Sequence, residues 1–193
     1  KRSPVHLAKV SPLLVKALLA VEDSRFYQHG GVDWWGVGRA FFANTLLRRV
    51  DQGASTLTMQ LARNRFLTQD LSLRRKLREM MLAQRIESQY SKDQILELYL
   101  NNVYFGSGAY GVAAAAQFYF KRPPADLSLA QAALIAGLVQ APSRLSPLVD
   151  ANFTAELDTL TLTAGHDVAR LVPPVVIDVS RDGEVFSQMG GAQ

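Results

Sequence analysis

Two adjacent carboxylates, Glu22 and Asp23, stand at the end of an almost wholly apolar segment that begins at Pro12. We predict that this segment is a buried helix, because a helix that is apolar on all sides is usually buried. Burial at its end would desolvate Glu22 and raise its pKa, and a pKa near neutrality suits a general base or acid. The polar, aromatic and glycine residues at 24–33 are typical of a loop that lines a cleft. The alternative is a helix end whose two acids are simply solvated.

Basic residues are concentrated between Arg63 and Lys92. This segment contains eight Lys and Arg residues but three Asp and Glu residues. The whole chain has a net charge of +4 at pH 7. An excess of this kind predicts an anionic partner, which by charge alone could be a phosphate, an anionic lipid or a nucleic acid.

Three of these residues, Arg75, Lys76 and Glu79, have spacings that form ion pairs on a helix, which we predict over 72–89. They could be a surface ion-pair cluster of little energetic weight. They could also be a carboxylate held among cations, which would stay ionised and organise a phosphate or a metal. Arginine binds phosphate oxygens bidentately, which favours the second interpretation. The apolar stripe of this helix consists of Leu73, Leu77, Met80 and Met81.

A third group of polar side chains follows the turn at 53–55. Thr56, Gln60 and Arg63 fall on one helix face at i, i+4 and i+7. A hydroxyl, an amide and a guanidinium near a helix N-terminus suit an anion. The alternative is an ordinary amphipathic helix. The residues expected to face the core are Leu57 and Leu61.

Capping and breaking signals predict a compact all-helical region over 12–140, with six or seven helices. Ser11-Pro12 and Asp33 begin two of them, and capping boxes begin two more, at Ser91 with Gln94 and at Ser128 with Gln131. The main predicted spans are 12–21, 34–49, 72–89, 91–100, 112–120 and 128–139.

The helix at 34–49 is rich in aromatic and basic residues. Such an amphipathic helix can lie in a membrane interface, and the alternative is that its apolar residues pack on the core. Those residues are Trp34, Val37, Phe41, Phe42 and Leu46, and the basic ones are Arg39, Arg48 and Arg49.

The length and composition of the chain suit one domain, or one domain and a fragment, because it has 193 residues, of which 48% are hydrophobic and 20% charged. There is no Cys, which excludes disulfides and thiolate metal sites. No apolar run approaches the roughly 18 residues needed to span a bilayer, and no signal peptide is visible. The chain opens at Lys1 without Met, so we expect upstream sequence to have been removed.

The pattern changes after Ala141. Prolines and serines at 142–147 mark a loop or linker. Residues 157–163 alternate like a strand, and two further apolar runs, 175–179 and 184–186, flank Arg-Asp-Gly at 181–183, which predicts a hairpin. An isolated hairpin is only marginally stable, so it must dock on the helical part or begin a segment that is cut short.

Four of these stretches together resemble the motifs of the peptidoglycan glycosyltransferases, glycosyltransferase family 51. The family is found alone or as the first catalytic domain of class A penicillin-binding proteins, and the resemblance covers about 10–147. The motifs are Glu-Asp-Ser-Arg-Phe-Tyr-Gln-His-Gly-Gly-Val-Asp at 22–33, Gly-Ala-Ser-Thr-Leu-Thr-Met-Gln at 53–60, Arg-Lys-Leu-Arg-Glu at 75–79 and Lys-Asp-Gln-Ile-Leu-Glu-Leu-Tyr-Leu-Asn at 92–101.

This resemblance implies a mainly α, lysozyme-like fold with two lobes and a cleft, formed by a glycosyltransferase domain over 1–148. Residues 149–193 would be a linker and a fragment resembling the start of a transpeptidase domain, with the short C-terminal hairpin. It also implies polymerisation of lipid II into glycan strands, with undecaprenyl pyrophosphate as leaving group. The expected location is the outer face of the bacterial cytoplasmic membrane, with a membrane surface as partner, no nucleic acid, and an N-terminal anchoring helix outside this chain.

By resemblance, the catalytic residues are Glu22, as general base, and Glu79, which orients cations or binds a divalent cation such as Mg or Mn; no metal site is otherwise expected. Arg63, Arg75 and Lys76 would stabilise the departing pyrophosphate. The remaining substrate-binding residues by resemblance are Asp23, Phe26, His29, Ser55, Thr56, Gln60, Asn64 and Asn101.

The sequence departs from the family pattern in places. Ala54 and Met59 replace the commoner Gly and Gln of the second motif, and Arg63 stands where Lys is more usual. The last family motif, an Arg-Arg-x-x-Val-Leu helix, has no counterpart here. Two other classes therefore stay open: a lysozyme-like glycan hydrolase that uses Glu22 as general acid, and an inactive membrane-associated scaffold of the same fold.

Overall fold

The computed structural model describes residues 4–46, 55–66, 72–140, 142, 175–179 and 185–189. Within these residues the chain is mainly helical, as predicted. The helices are α1 (Pro12–Glu22), α2 (Trp34–Leu46), α3 (Leu57–Phe66), α4 (Leu73–Glu87), α5 (Lys92–Asn102), α6 (Val112–Phe120) and α7 (Leu129–Gln140). Short 3-10 turns lie at Leu7–Lys9, Phe26–Gln28 and Pro124–Asp126.

Side-chain capping hydrogen bonds mark the start of α3, α4, α5 and α7. In the capping box before α5, the Gln94 N–H donates to Ser91 Oγ at 3.3 Å and the Ser91 N–H donates to Gln94 Oε1 at 2.9 Å. Ser128 and Gln131 form the same pair of hydrogen bonds at the start of α7, at 3.1 and 3.3 Å. Both predicted capping boxes are thus confirmed.

The described residues fall into two compact units, those within 1–24 and 100–193, and those within 25–99. In the first unit α1 packs against α7. Leu14, Ala17 and Leu18 of α1 are buried, and α7 is buried on nearly every side from Ala130 to Leu138. The prediction that α1 is a buried helix is confirmed for this face, while Pro12 and Lys16 are exposed.

In the second unit α3 packs on α4. Val32, Met59 and Ala83 form a buried apolar cluster, against which Val37 and Met80 pack. The small side chain of Ala83 allows Met59 of α3 to pack closely on α4. Leu57 and Leu61 are also buried, as predicted for the apolar face of α3.

Most of the predicted apolar stripe of α4 does not contribute to this core. Leu73, Leu77 and Met81 are 86%, 61% and 70% exposed, whereas Glu79 is fully buried. On α2, Trp34, Trp35 and Phe42 are exposed as well. Apolar side chains of both helices thus face solvent in this unit.

Two strands lie beyond the helical region. Strands β1 (Val175–Val179) and β2 (Val185–Met189) pair antiparallel, with Ile177 opposite Ser187. The intervening turn and the predicted strand at 157–163 lie outside the described residues, so the predicted hairpin stays a prediction. Across the part of the chain that the structure describes, no helix has the length and apolar character to cross a membrane.

Candidate active site

Glu22 is the last residue of α1, and Asp23 follows it as the helix cap. The Asp23 N–H donates to the Leu19 carbonyl at 2.9 Å, which closes the helix. Glu22 is half-buried with its Oε1 atom inaccessible to solvent, and Asp23 is buried. The buried core of α1 therefore carries a half-buried carboxylate at its end, with one oxygen inaccessible to solvent.

The cationic cluster is organised around the buried side chain of Glu79. Arg75 Nε lies 3.1 Å from Oε1, and Lys76 Nζ lies 3.2 Å from Oε2. The predicted i+4 and i+3 ion pairs are confirmed. The Arg75 contact is an ion pair without the alignment of a hydrogen bond. Burial of a carboxylate requires such compensation, because an isolated buried charge is very costly.

Ser55 extends this cluster to the segment before α3, because its Oγ accepts a hydrogen bond from Lys76 Nζ. The Lys76 side chain is about one-third exposed and that of Arg75 less so. Two cations share one buried carboxylate, so the cluster has a net positive charge. It can therefore attract an anion on its accessible side.

Thr56 joins α3 to the loop at residues 25–33. Its Oγ1 accepts the N–H of Met59 at 3.2 Å, as in a helix N-cap, and donates to the Gly31 carbonyl at 2.5 Å. Gly31 has φ +82° and lies against the backbone of Ala83. The loop is thus fixed between α3 and α4. Both hydrogen bonds of the Thr56 hydroxyl are thus made to the protein backbone.

The other predicted residues of α3 differ in exposure. Gln60 is half-buried, and its Oε1 accepts a hydrogen bond from Tyr99 Oη at 3.0 Å. Arg63 is half-buried and Asn64 is exposed, in the basic last part of the helix. Their roles toward a ligand stay predictions.

Phe26 packs inside the second unit and is 1% exposed. Its ring makes edge contacts with Tyr27 and His29, with centroids 5.2 and 6.4 Å apart. His29 is half-buried and its Nδ1 atom is inaccessible to solvent. Phe26 therefore shapes the loop from inside instead of presenting its ring to solvent.

Asn101 lies in the first unit and contacts the chain before α1. Its side-chain amide forms two hydrogen bonds with the backbone of Val5, each 2.8 Å long. Asn101 therefore holds the backbone near Val5, a structural role that its position in the fourth motif did not indicate.

Tyr27 and Asp93 form a further contact that the sequence did not predict. Tyr27 Oη donates to Asp93 Oδ1 at 2.9 Å. Burial, together with the hydrogen bond and the negative charge of Asp93, raises the pKa of Tyr27 from 10.0 to about 12. The hydroxyl therefore keeps its proton to a higher pH than an ordinary tyrosine does.

A divalent cation does not fit Glu79 in this arrangement, because each of its oxygens already faces a cation. Within the described ranges, no group of three His, Asp or Glu side chains could hold a metal ion.

Thr58, Glu87 and Lys92 form a second polar cluster, which sequence reasoning missed. Glu87 Oε1 accepts from Thr58 Oγ1 at 2.7 Å and from Lys92 Nζ at 2.8 Å. Glu87 and Lys92 are five residues apart, on helices separated by the turn at 88–91. Helix spacing rules identify only i+3 and i+4 pairs, so no local signal could have found this one.

The predicted site residues fall into both compact units. Arg75, Lys76, Glu79 and Ser55 come together in the second, where a positive cluster with a serine hydroxyl can bind an anionic group. Glu22, Asp23 and Asn101 belong to the first, which supplies a half-buried carboxylate.

Comparison with known proteins gives a consistent result. The family model described as Transglycosylase matches residues 1–164. Penicillin-binding protein 1A of Escherichia coli is 52% identical over 148 residues, 77% of this chain, and that of Neisseria gonorrhoeae is 50% identical over 150 residues, 78% of this chain. Penicillin-binding protein 1A of Haemophilus influenzae is 48% identical over 163 residues, 84% of this chain.

These relatives are much longer than the present chain. The matched region is 17% of the Escherichia coli protein and 19% of each of the other two. The family match also runs beyond residue 148, so the predicted domain boundary at that residue stays a prediction.

Proposed function

Because this chain belongs to the transglycosylase family, the peptidoglycan glycosyltransferase domains of class A penicillin-binding proteins, we propose that it polymerises lipid II into glycan strands. The substrates are then lipid II and the growing strand, and undecaprenyl pyrophosphate is released. The single observation that carries this proposal is the buried Glu79 carboxylate paired with Arg75 and Lys76.

The cationic cluster suits the leaving group. As the bond between the sugar C1 and the pyrophosphate oxygen breaks, negative charge accumulates on the pyrophosphate. Cations already held in place stabilise that charge without reorganising. Arg75 and Lys76 are held in this way by Glu79, and Arg63 adds a third charge in the same unit. A glycan hydrolase has no pyrophosphate to neutralise, so this cluster argues against that alternative.

Glu22 is the proposed general base. It takes the proton from the acceptor hydroxyl, whose oxygen then forms the new bond to C1 of the donor sugar. Because the donor is α-linked and the product is β-1,4-linked, one displacement with inversion suffices, and no covalent glycosyl intermediate forms. The half-buried position of Glu22 at the end of α1 supports this role.

Asp23, His29, Gln60 and Asn64 are proposed to shape the sugar and phosphate sites, and Thr56 is proposed to do so through the loop that its hydroxyl holds. Phe26 and Asn101 are proposed to act on the substrate through the segments that they hold, since one is buried and the other is bonded to Val5. The wider proposal is a lysozyme-like, two-lobed domain over 1–148, followed by a linker and the start of a transpeptidase domain over 149–193.

We also propose that the second unit contacts a membrane surface, at the outer face of the bacterial cytoplasmic membrane. Two exposed apolar surfaces support this. One is on α2 (Trp34, Trp35 and Phe42), and the other consists of the exposed members of the α4 stripe, Leu73, Leu77 and Met81. Arginines at 39, 74 and 78 are also exposed, and cations attract anionic headgroups.

A flotation assay with vesicles containing phosphatidylglycerol tests this membrane contact. Replacing Leu77 and Met81 with Ser should reduce the bound fraction, whereas Phe118→Ser, at an exposed position on α6, should not. Equal binding by all three proteins would contradict the membrane proposal.

Labelled lipid II in detergent tests the activity itself. Long strands with released undecaprenyl pyrophosphate support the proposed function. Cleavage of finished peptidoglycan would indicate the hydrolase, and the absence of both activities would indicate an inactive scaffold.

Within that assay, Glu22→Gln should lower polymerisation by about a hundredfold or more, because it removes the general base. The helical content should stay unchanged. Asp126→Asn, which removes an exposed carboxylate, is the matched control. Near wild-type polymerisation by Glu22→Gln would overturn the base assignment.

A further inference from the structure

The carboxylate of Glu87 joins three helices of the second unit. Glu87 is the last residue of α4. Its Oε1 accepts hydrogen bonds from Thr58 on α3 and from Lys92 at the start of α5. The Glu87 and Lys92 side chains are only 10% and 21% exposed, and Thr58 is fully buried. This is a largely buried ion pair that no assigned role explains.

The Lys92 ammonium has a second neighbour, the ring of Phe26. Nζ lies 4.4 Å from the ring centroid, within the range of a cation–π interaction. The next residue, Asp93, accepts the hydrogen bond from Tyr27. The first turn of α5 therefore holds the 3-10 turn Phe26–Gln28 through two adjacent side chains.

The loop that begins with this turn ends beside the cationic cluster. The Gly31 carbonyl of this loop accepts a hydrogen bond from the Thr56 hydroxyl. Ser55, the residue before Thr56, accepts a hydrogen bond from Lys76. All of these contacts lie within residues 25–99, the second unit. A continuous series of contacts thus runs from Lys92, through the loop, to the residue that binds Lys76.

We propose that Lys92 is a positioning residue for glycosyl transfer, whose ammonium, shared between Glu87 and the Phe26 ring, sets the conformation of the loop at residues 25–33. This inference rests on the proposed function for its kinetic consequence only. A buried ion pair is often no more stabilising than apolar residues of the same size. Its use here is to fix where the loop lies, and a small displacement of groups near a reacting centre slows the reaction strongly.

The kinetic test compares Lys92→Met with Lys92→Arg on lipid II. Lys92→Met should lower kcat by roughly tenfold to a hundredfold. It should leave KM within about twofold, because the lost interaction affects the transition state and not ground-state binding. Lys92→Arg keeps the charge and the cation–π contact and should restore most of the rate.

The matched control is Lys121→Met, because Lys121 also lies over a phenylalanine, Phe118, with Nζ 5.8 Å from the centroid, but is exposed on the surface of the first unit. This variant should retain wild-type kcat. A wild-type rate for Lys92→Met, or an equal loss in Lys92→Met and Lys92→Arg, would overturn the proposal.

Hydrogen exchange separates this proposal from the proposed function, since it needs no substrate. Lys92→Met should accelerate exchange at residues 26–32 and leave α6 and α7 unchanged. If wild-type protein does not polymerise lipid II but this local acceleration occurs, the proposed function fails and the positioning of the loop stands. Unchanged exchange at 26–32 would refute the positioning role, whatever the activity.

Phe26→Leu provides a second route if Lys92→Met does not fold. It keeps an apolar side chain but removes the aromatic face that the ammonium contacts. It should produce the same local acceleration of exchange. In a double-mutant cycle with Lys92→Gln, which removes the ammonium, the effects of the two changes on the exchange at residues 26–32 should be non-additive; full additivity would contradict the proposed coupling.

Discussion

The side-chain amide of Asn101 and the backbone of Val5 form a reciprocal pair of hydrogen bonds. The Val5 N–H donates to Asn101 Oδ1, and Asn101 Nδ2 donates to the Val5 carbonyl, each at 2.8 Å. Farther along the same segment, the Ser11 N–H donates to the Pro124 carbonyl at 3.0 Å. These contacts hold the chain immediately before α1, the helix that ends in Glu22.

Replacing Asn101 with Ala should therefore destabilise the protein. Loss of two partly buried hydrogen bonds should lower the free energy of unfolding by about 1–3 kcal/mol, measured by chemical denaturation. Asn101→Asp keeps an acceptor for the Val5 N–H but places a second oxygen against the Val5 carbonyl, so we expect no recovery.

The control for Asn101 is Gln117→Ala, an exposed polar position on α6 in the same unit. It should change the free energy of unfolding by no more than about 0.5 kcal/mol. Wild-type stability of Asn101→Ala would mean that the pair with Val5 contributes nothing to the folded state.

Glu79→Gln tests the cationic cluster. The change removes the charge that Arg75 and Lys76 share, so both cations lose their buried partner. We expect a loss of about 1–3 kcal/mol in the free energy of unfolding and severely impaired polymerisation of lipid II. Asp126→Asn, at an exposed acid, should be close to wild type in both measurements. Normal turnover by Glu79→Gln would exclude an organising role for the carboxylate.

Gly31→Ala tests how closely the loop at residues 25–33 packs on α4. A Cβ at this position would lie 3.0 Å from the backbone C and O of Ala83, and φ is +82°. Backbone strain and this contact together should cost about 2 kcal/mol or more of stability.

The neighbouring Gly30 supplies the matched control for Gly31, because a Cβ there would meet nothing within 4 Å. Gly30→Ala should therefore be tolerated. Gly108→Ala isolates the conformational term, since Gly108 has φ +77° with open space around it. It should cost about 1 kcal/mol. If Gly31→Ala costs no more stability than Gly108→Ala, the loop can move away from α4.

The raised pKa of Tyr27 should make the free energy of unfolding depend on pH in the alkaline range. Its folded pKa, about 12, lies above its usual value of 10.0. The folded state therefore holds this proton more tightly than the unfolded state. The corresponding stability is fully present below pH 10.0 and is lost as pH rises through about 12.

Tyr27→Phe should remove this part of the pH dependence, so that its stability falls less steeply than that of wild type over the same range. The ultraviolet absorbance of tyrosinate, recorded as wild type minus Tyr27→Phe, gives the pKa directly. Asp93→Asn should lower that pKa toward the usual value. A difference titration centred at 10.0 would contradict the contact with Asp93.

Local chemistry allowed much of the helical framework to be predicted from sequence. Capping boxes at Ser91 and Ser128, and the ion pairs of Glu79 with Arg75 and Lys76, depend on groups three or four residues apart. Such distances follow from helix geometry alone. The predicted stripe of α4 shows the limit, since the apolar residues Leu73, Leu77 and Met81 are exposed while the charged Glu79 is buried.

The sequence was sufficient to identify the family, the helical class, two capping boxes and the polar residues that could serve a glycosyl transfer. The contacts between distant residues became known from the three-dimensional arrangement: Asn101 with Val5, 96 residues apart, Thr56 with Gly31, 25 apart, and Lys92 with Glu87 across a helix break. Hydrogen bonds within a helix could be predicted because they follow from a fixed repeat. Contacts between elements depend instead on how α3, α4 and α5 pack and on the path of the loops between them.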